Sequence, residues 1–213
     1  MRIEKFTFNP FHENTYVLSD NSGHAIIVDP GCYERQEELE LQSYIQVNEL
    51  KVVALLNTHA HVDHVLGNQF VVNQYQVPFY LHADDIPILH SVENYARLYG
   101  MENYKVSPEP THLLKDGEVL KFGEMEFRVF HTPGHAPGHV VFYSEQENVV
   151  VNGDVLFKGS FGRTDLPGGS MEVLKKTIFE ILFQLPDNTL VLSGHGDDTT
   201  IGIEKKTNYI HNF

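Results

Sequence analysis

Four apolar segments of this 213-residue chain end in the same way, with a turn residue followed by an imidazole or a carboxylate. Short apolar runs bounded by turn residues are typical of β-strands. Side chains at strand ends are often functional, because a rigid sheet fixes the loop that carries them. If the four ends share one edge of the fold, their side chains converge. The segments and the residues that follow them are VVALL and His59, FRVF and His135, VVVNG and Asp154, and LVLSG and His195.

The first of these strand ends lies in the stretch LLNTHAHVDH, residues 55–64. It carries His59, His61, Asp63 and His64 within six residues. Residues two apart do not share a helix face, so His59 and His61 fit a loop in which alternate side chains point the same way. Asp63 and His64 are adjacent and point in different directions. One short loop therefore suits two metal positions, and four such residues together favour a metal site over a solvated polar loop.

Three later residues also suit ordinary structural roles when each is taken alone. His135 fits a turn, Asp154 fits an Asx turn, and His195 fits a loop between two glycines. Each follows a strand in the same way, and this shared position favours metal binding. His139, near the start of the next strand, is interpreted as a supporting or structural residue. Asp29, in VDPG, is interpreted first as a turn residue and second as a support for a ligand loop.

The remaining pattern predicts a mixed α/β (α+β) fold in which strands dominate. Helical patterns are fewer and cover Glu34 to Val47, Val65 to Tyr75 and Ser170 to Leu185. Ser170 is a favourable N-cap residue for the last of these. This distribution predicts two sheets covered by helices, not a doubly wound parallel sheet. Residues 101–118 are expected to form an irregular connection. Because no linker or repeat divides the chain, residues 1–213 are expected to form one domain.

The composition excludes several classes of partner. The formal net charge is −14 at pH 7 with histidines neutral, whereas nucleic acid and anionic lipid require a basic face. The opening MRIEKFTFNP lacks the apolar core of a signal peptide, and no apolar stretch approaches the ~20 residues of a membrane span. Cys32 is the single cysteine, so an intrachain disulfide is impossible. We expect a cytoplasmic protein with a small-molecule partner, no nucleic acid and no membrane. The sequence gives no indication of an oligomeric state.

A glycine-rich segment, FKGSFGRTDLPGGS, follows Asp154 closely and carries Lys158 and Arg163. It does not match the phosphate-binding P-loop pattern. A flexible surface loop and a substrate-facing loop fit it about equally well. In the second case Lys158 and Arg163 would bind an anionic substrate.

The combination of HAHVDH, TPGHAPGH, NGDVLF and SGHG resembles the metallo-β-lactamase superfamily over nearly the whole chain. The resemblance is closest to glyoxalase II, the hydroxyacylglutathione hydrolases, in their short bacterial form. It implies a four-layer αββα sandwich with a metal site at one edge of the two sheets. The family pattern implies a first group of metal ligands, a second group and a bridging carboxylate, which correspond here to His59, His61 and His135, to Asp63, His64 and His195, and to Asp154.

The same resemblance implies a dinuclear metal-dependent hydrolase that cleaves S-D-lactoylglutathione or a related anionic acyl thioester. Two divalent ions would supply a bridging hydroxide at neutral pH. Zinc is the expected metal, and imidazole and carboxylate ligands also suit iron and manganese. Asp63 and Asp154 are the expected catalytic carboxylates, with Asp63 orienting the nucleophile. Arg163 stands where the family uses a lysine for substrate.

Two features depart from the glyoxalase II pattern. Full-length members carry a C-terminal helical region whose basic residues bind glutathione, whereas 18 residues follow His195 here. Asp197 replaces the tyrosine expected two positions after that histidine. The pattern therefore supports thioester hydrolysis more strongly than it supports glutathione as the carrier.

Residues 162–165, GRTD, also resemble the persulfide dioxygenases. Those enzymes hold one iron with two histidines and one aspartate, here His59, His135 and Asp154. A lactonase and a non-catalytic metal-binding protein are lesser alternatives. A β-lactamase of the commonest class would carry cysteine in place of Asp154.

Overall fold

Strand β3 (His24–Val28) shows why the strands of this protein require an apolar layer on each side. Ala25 and Ile27 pack into one apolar cluster, and Ile26 and Val28 pack into another. Successive side chains of a strand point to opposite faces of the sheet. A strand that is apolar along its whole length therefore separates two hydrophobic layers.

The computed structural model describes residues 1–213 and contains two six-stranded sheets and a separate two-stranded hairpin. The first sheet consists, in spatial order, of β1 (Arg2–Phe8), β2 (Glu13–Ser19), β3, β4 (Lys51–Leu56), β5 (Phe79–His82) and β6 (His112–Leu114). The strands of the second sheet are β7 (Val119–Phe122), β8 (Met125–His131), β9 (Val140–Ser144), β10 (Val149–Gly153), β13 (Leu190–Ser193) and β14 (Thr199–Thr200). The hairpin pairs β11 (Leu156–Phe157) with β12 (Ser160–Phe161).

Six α-helices cover the outer faces of the two sheets. They are α1 (Arg35–Val47), α2 (Val62–Val65), α3 (Asn68–Tyr75), α4 (Ile86–Tyr95), α5 (Met171–Glu180) and α6 (Ile201–Thr207). Short 3-10 turns follow or precede some of them, at Ala83–Asp85, Ala96–Tyr99, Leu182–Gln184 and Tyr209–Asn212. No helix is both long and apolar enough to cross a membrane.

Three apolar clusters correspond to the three interfaces of a four-layer sandwich. The middle cluster lies between the sheets and joins Ile26 of the first sheet to Phe142 of the second. One outer cluster packs α1, α3 and α4 on the first sheet, and the other packs α5 and α6 on the second. The predicted αββα arrangement of two sheets covered by helices is confirmed.

The predicted helices are partly wrong in their bounds. The helix expected over Val65 to Tyr75 is two helices, α2 and α3, which break at Leu66 and Gly67. The backbone N–H of Gly67 donates to the carbonyl of Pro30, and a Cβ at this position would collide with the Cys32 sulfur. The close approach of the two segments therefore interrupts the helix.

The other differences between the predicted and the observed elements occur where the local sequence pattern competes with tertiary packing. The helix expected over Ser170 to Leu185 ends at Glu180 and continues as a 3-10 turn. The sequence pattern does not predict helix α4. The segment 101–118, expected to be irregular, contributes the edge strand β6 and the start of a neighbouring strand pair.

Chain direction brings the four predicted strand ends to one edge. β10 runs parallel to β13, and β8 runs in the same direction because it is two antiparallel steps from β10. Their carboxyl ends therefore lie on the same side of the second sheet. The end of β4, in the first sheet, joins them through a hydrogen bond from the Val140 N–H to the Thr58 carbonyl, at 2.8 Å.

Candidate metal centre

The loop after β4 is held by one buried carboxylate, that of Asp29. Its two oxygens accept hydrogen bonds from the Thr58 backbone N–H at 2.7 Å, the Thr58 hydroxyl at 2.6 Å and the Asn57 amide at 3.2 Å. Asp29 itself adopts a left-handed backbone with φ of 48°, a conformation that aspartate tolerates better than most residues. The loop geometry is therefore fixed before its histidines meet any ligand.

His59, His61 and His135 form the first group of nitrogen ligands. One ring nitrogen from each lies within 4.8 Å of the other two. His135 Nε2 lies 2.8 Å from His61 Nδ1 and 3.3 Å from His59 Nε2. Burial, followed by the neighbouring imidazoles, lowers the pKa of His59 and lowers that of His61 to about 3. Burial also lowers the pKa of His135. The group is therefore neutral at pH 7, as metal ligation requires.

The outer nitrogens of two of these rings fix the tautomers. His135 Nδ1–H donates to the Arg163 carbonyl at 2.7 Å. The Thr58 hydroxyl donates to Asp29, so it accepts from His59 Nδ1–H at 3.0 Å. The Nε2 lone pairs of both rings consequently point into the group. Such support of the far nitrogen orients metal-binding histidines and raises their basicity.

Asp63, His64 and His195 form the second group. Asp63 Oδ2 lies 3.1 Å from His195 Nε2 and 3.6 Å from His64 Nε2. His64 Nδ1–H donates to Asp29 Oδ2 at 3.1 Å, and His195 Nδ1–H donates to the Phe11 carbonyl at 3.2 Å. Both rings therefore direct Nε2 toward the carboxylates. Asp63 and His64 lie on α2, not on the preceding loop as the spacing suggests.

Asp154 lies between the two groups. Its Oδ2 atom is 3.6 Å from His135 Nε2 in the first group and 3.5 Å from His195 Nε2 in the second. Its Oδ1 atom is 3.5 Å from His64 Nε2. The residue packed against this carboxylate must be glycine, because a Cβ on Gly194 would collide with Asp154 Oδ1. All seven residues expected to be ligands from the sequence thus converge on one volume.

The carboxylates and histidines of the second group perturb each other strongly. Burial favours a neutral Asp154, but the facing imidazoles, His64 foremost, lower its pKa far below the ordinary value. Burial likewise disfavours charge on His64, yet Asp154 and Asp63 raise its pKa well above the usual range. The two carboxylates therefore attract a proton onto His64. A divalent cation in the same place would satisfy them equally well and would displace that proton.

The residues present fit a pair of divalent ions. His64 Nε2 and Asp154 Oδ1 are buried and have no hydrogen-bond partner, and an orphaned buried donor or acceptor normally costs about 1–3 kcal/mol. The donors are imidazoles and carboxylates, which suit zinc, iron and manganese alike. Cys32 is buried in the outer core, and burial raises the pKa of its thiol. It therefore adds no thiolate to the set.

Three supporting residues have contacts that the sequence pattern does not specify. His139 Nε2 accepts from the Asp154 N–H at 3.1 Å, and its ring stacks on His59 at a centroid distance of 4.7 Å. The buried Asp85 carboxylate accepts from the Ala60 N–H at 2.8 Å and the Gly138 N–H at 2.6 Å. It thereby joins the loop of His59 to the loop of His135. Glu13 is buried beside His64, with Oε1 3.9 Å from Nδ1.

These supports carry different sequence signals. His139 lies four residues from a ligand, so its position in the sequence could be noticed. Asp85 and Glu13 have no such spacing, since Asp85 precedes an unpredicted helix and Glu13 begins β2. Their roles follow from tertiary contacts alone.

An open cavity of about 1150 Å³ lies above the two groups. Arg163 lines it, but its guanidinium pairs in a bidentate manner with Asp165, with both N–O distances at 2.7 Å. Lys158 lies outside the lining and pairs with Asp197 at 2.9 Å. Both side chains are exposed. Their expected role in binding substrate stays a prediction.

A further group of metal-binding residue types, His82, Asp84 and His131, lies at the ends of β5 and β8. The rings of His82 and His131 stack nearly parallel, at 4.4 Å and 10°. His131 Nε2–H also donates to the Pro137 carbonyl at 2.8 Å. These contacts explain why the three residues lie together: they pack between the two sheets.

Comparison with known proteins agrees with this site. The sequence model of the metallo-β-lactamase superfamily matches residues 8–195. A hydroxyacylglutathione hydrolase of Haemophilus influenzae is 35% identical to this chain. The alignment is 214 residues long and covers 98% of this chain and 97% of the relative.

Two crystal structures are similar over the whole chain. The BLEG-1 B3 metallo-β-lactamase is 37% identical, with a TM-score of 0.89 and coverage of 98% of both chains. TTHA1623, solved in a di-iron-bound form, is 38% identical, with a TM-score of 0.86 and coverage of 97% of this chain and 98% of that one. By the sequence match, the sandwich fold and the converging histidines and aspartates, this chain belongs to the metallo-β-lactamase superfamily.

Proposed function

We propose that this protein is a dinuclear metal-dependent hydrolase of acyl thioesters, of the glyoxalase II type. The observation that carries the proposal is the position of Asp154. Its Oδ2 atom lies 3.6 Å from a nitrogen of the first ligand group and 3.5 Å from one of the second. A carboxylate in this position suits two ions held side by side better than it suits one.

The first ion would be held by His59, His61 and His135. The second would be held by Asp63, His64 and His195, with Asp154 shared. When bound, a pair of divalent ions supplies a water-derived nucleophile at neutral pH and polarises a carbonyl group. Zinc, iron and manganese all suit this donor set, and a 38% identical relative has been solved with two irons.

The chain's own residues contribute orientation and proton control. Asp29 fixes the tautomers of His59 and His64 through Thr58 and through a direct hydrogen bond. Asp63 lies at the cavity floor with its Oδ2 3.1 Å from His195 Nε2, where it can accept a hydrogen bond from an attacking water. A thiol has a pKa of about 8–9 and departs as a thiolate without a dedicated acid. Cleavage of a thioester therefore requires no side chain at the cavity floor to protonate the leaving group.

The name of the Haemophilus influenzae relative supports this substrate class, since a hydroxyacylglutathione is a thioester. The persulfide dioxygenase alternative rests on the GRTD motif. In this fold the Arg163 carbonyl of that motif accepts from His135, and its side chain pairs with Asp165. The motif thus orients His135. This role would serve any metal-dependent reaction in which His135 takes part. A one-iron site would leave His61, Asp63, His64 and His195 without a role.

The test combines metal content with three assays on one preparation. We expect about two first-row ions per chain by elemental analysis, and thiol release from S-D-lactoylglutathione that stops in Asp154→Ala. The matched control is Asp187→Ala, which removes an exposed aspartate paired with Lys205, away from the site. Oxygen uptake with glutathione persulfide, in protein holding one iron, would establish the dioxygenase instead. Cleavage of a chromogenic cephalosporin without thiol release would establish a β-lactamase.

A further inference from the structure

Helix α4 carries apolar side chains on two adjacent faces. Leu89 and Val92 are buried in the outer core cluster of the first sheet. Ile88 and Tyr95, seven residues apart and therefore on one side of the helix, line the cavity above the metal centre, with Ser91 between them. Ile88 and Tyr95 also pack against the edge of the same core cluster, but each remains partly exposed on the side of the cavity.

The apolar surface continues past the end of α4. In the 3-10 turn that follows, the side chains of Leu98 and Tyr99 also line the cavity, and they are 85% and 48% exposed. Tyr99 makes edge contacts with Phe11 and with Tyr95, each at a centroid distance of 5.8 Å. We name this surface the α4 wall. It consists of Phe11, Ile88, Tyr95, Leu98 and Tyr99.

A second apolar surface lines the same cavity. It is formed by Phe157 and Phe161 of the β11–β12 hairpin and by Leu166 and Pro167 of the segment that follows. Five of the predicted metal ligands form the floor of this cavity, namely His61, Asp63, His135, Asp154 and His195. A group that projects from the reacting carbonyl away from the floor therefore enters a cavity lined by aromatic and aliphatic side chains.

Apart from the proposed ions, the side chains of the cavity offer few positive charges to a ligand carboxylate. Arg163 supplies the only guanidinium or ammonium group in the lining, and both of its paired nitrogens already contact Asp165 at 2.7 Å. A glutathione moiety carries two carboxylates and one ammonium group. While Arg163 keeps its pair with Asp165, it offers a ligand carboxylate only Nη1 and the outer Nη2–H, close to the Asp165 charge. The net charge of −14 opposes the same ligand at longer range.

We propose that the preferred substrate of this site is a thioester whose acyl group is a medium-length alkyl or an arylalkyl chain that packs on the α4 wall. The inference rests on the proposed thioester hydrolysis and specifies its substrate class. The reaction breaks the acyl C–S bond and forms a C–O bond to the oxygen of water. The products are a carboxylic acid and a thiol, so no oxidant or reductant is consumed.

The experiment uses the metal-loaded full chain and a series of thioesters of one neutral thiol, N-acetylcysteamine. The acyl groups are acetyl, butanoyl, hexanoyl and phenylacetyl, and S-D-lactoylglutathione is assayed beside them. A methylene withdrawn from water is expected to raise kcat/KM about three- to fourfold. Hexanoyl, two methylenes longer than butanoyl, should therefore be cleaved with about tenfold higher kcat/KM, and with higher kcat/KM than lactoylglutathione.

The variant Leu98→Ser removes the most exposed member of the α4 wall, where a change of side chain does not disturb the core. We expect it to lower the ratio of kcat/KM for hexanoyl to that for acetyl about fivefold. The matched control is Leu113→Ser, on the edge strand β6, where the leucine is 44% exposed and outside the cavity. This control should keep the wild-type ratio.

The outcomes separate the inference from the proposed function. Hydrolysis of no thioester would overturn the proposed function and the inference with it. Hydrolysis of thioesters with kcat/KM independent of chain length, or an unchanged ratio in Leu98→Ser, would overturn the inference alone. A preference for lactoylglutathione over hexanoyl would also overturn it and would identify glutathione as the carrier.

Discussion

Asp154 touches both predicted ligand groups, whereas Asp63 touches one. We therefore expect Asp154→Ala to lower the metal content from about two ions per chain to nearly none, and Asp63→Ala to retain about one, because a shared carboxylate supports both sites. Elemental analysis after gel filtration measures both. Asp187→Ala, at an exposed position paired with Lys205, should keep the wild-type content. Full metal loading in Asp154→Ala would show that Asp154 does not bridge the two metal sites.

Asp85 predicts a pH dependence of stability. Burial raises its pKa to about 6, above the ordinary value of 3.8, so the folded protein binds the proton more tightly than the unfolded chain does. Its contribution is present below the unfolded pKa and is lost as pH rises through the folded one. Between about pH 4 and 6, the free energy of unfolding of the wild type should fall relative to that of Asp85→Asn, by up to about 3 kcal/mol.

Urea unfolding in one chelator-containing buffer measures this difference at each pH. Asp165→Asn is the control, because the Arg163 guanidinium lowers the pKa of Asp165 to about 2, below the window. A wild-type free energy of unfolding that stays constant relative to Asp85→Asn, or rises relative to it across this pH range, would contradict the assignment.

The residue scale is also where the sequence is most informative. The seven residues gathered at the centre follow strand ends or lie within one short stretch, and both signals are local. The contacts of Asp85 with the Ala60 and Gly138 N–H groups join segments far apart in the chain. No local pattern specifies such a pairing, so it emerges only from the fold.

At the scale of elements, α5 anchors the loop that carries His135. The Thr177 hydroxyl donates to the Pro133 carbonyl at 2.8 Å, and the Ser170 N–H at the helix N-cap donates to the Gly134 carbonyl at 2.8 Å. We expect Thr177→Val to lower the free energy of unfolding by about 1–2 kcal/mol, because the isosteric valine leaves the Pro133 carbonyl without its donor. Urea denaturation measures the change.

The chain offers a matched control in Thr207→Val on α6. There the hydroxyl donates to the Ile203 carbonyl at 3.0 Å on an exposed surface, where water can replace it. This variant should stay within about 0.5 kcal/mol of wild type. Equal effects of the two substitutions would show that Thr177 acts through helix propensity and not through the loop.

Elements are predictable where one apolar stripe is present. The sequence predicts helix α5 because Leu174 and Ile178 recur at helical spacing and Ser170 precedes them. Helix α4 is absent from the prediction although Ile88, Leu89, Val92 and Tyr95 recur at helical spacing, so the local pattern is sufficient to indicate it. The break at Gly67 depends on contact with Pro30 and Cys32, which no local pattern contains.

At the scale of the whole molecule, the predicted metal ligands connect the two sheets. The first four follow β4 in one sheet, and the other three follow β8, β10 and β13 in the other. Chelation should therefore lower global stability. Loss of one ion present at about 100 times its dissociation constant removes about 2.7 kcal/mol, which corresponds to a fall of about 5–11 °C in Tm at this size, and loss of both ions removes about twice as much.

Differential scanning calorimetry before and after EDTA treatment measures this change, and added zinc should restore the original Tm. The Asp154→Ala variant is the control, since its Tm should not respond to EDTA. A wild-type Tm that is insensitive to chelator would mean that the ions do not brace the two sheets.

The division of ligands between the sheets has a consequence for how the chain folds. His59, His61, Asp63 and His64 are neighbours in sequence, so an unfolded chain can already capture an ion there. His135, Asp154 and His195 reach the same place only after the second sheet docks on the first, which closes long loops of the chain. An ion bound early by this local group would thus gain its remaining ligands only in the last assembly step. The change in an ion's coordination would therefore mark the moment at which the two halves dock.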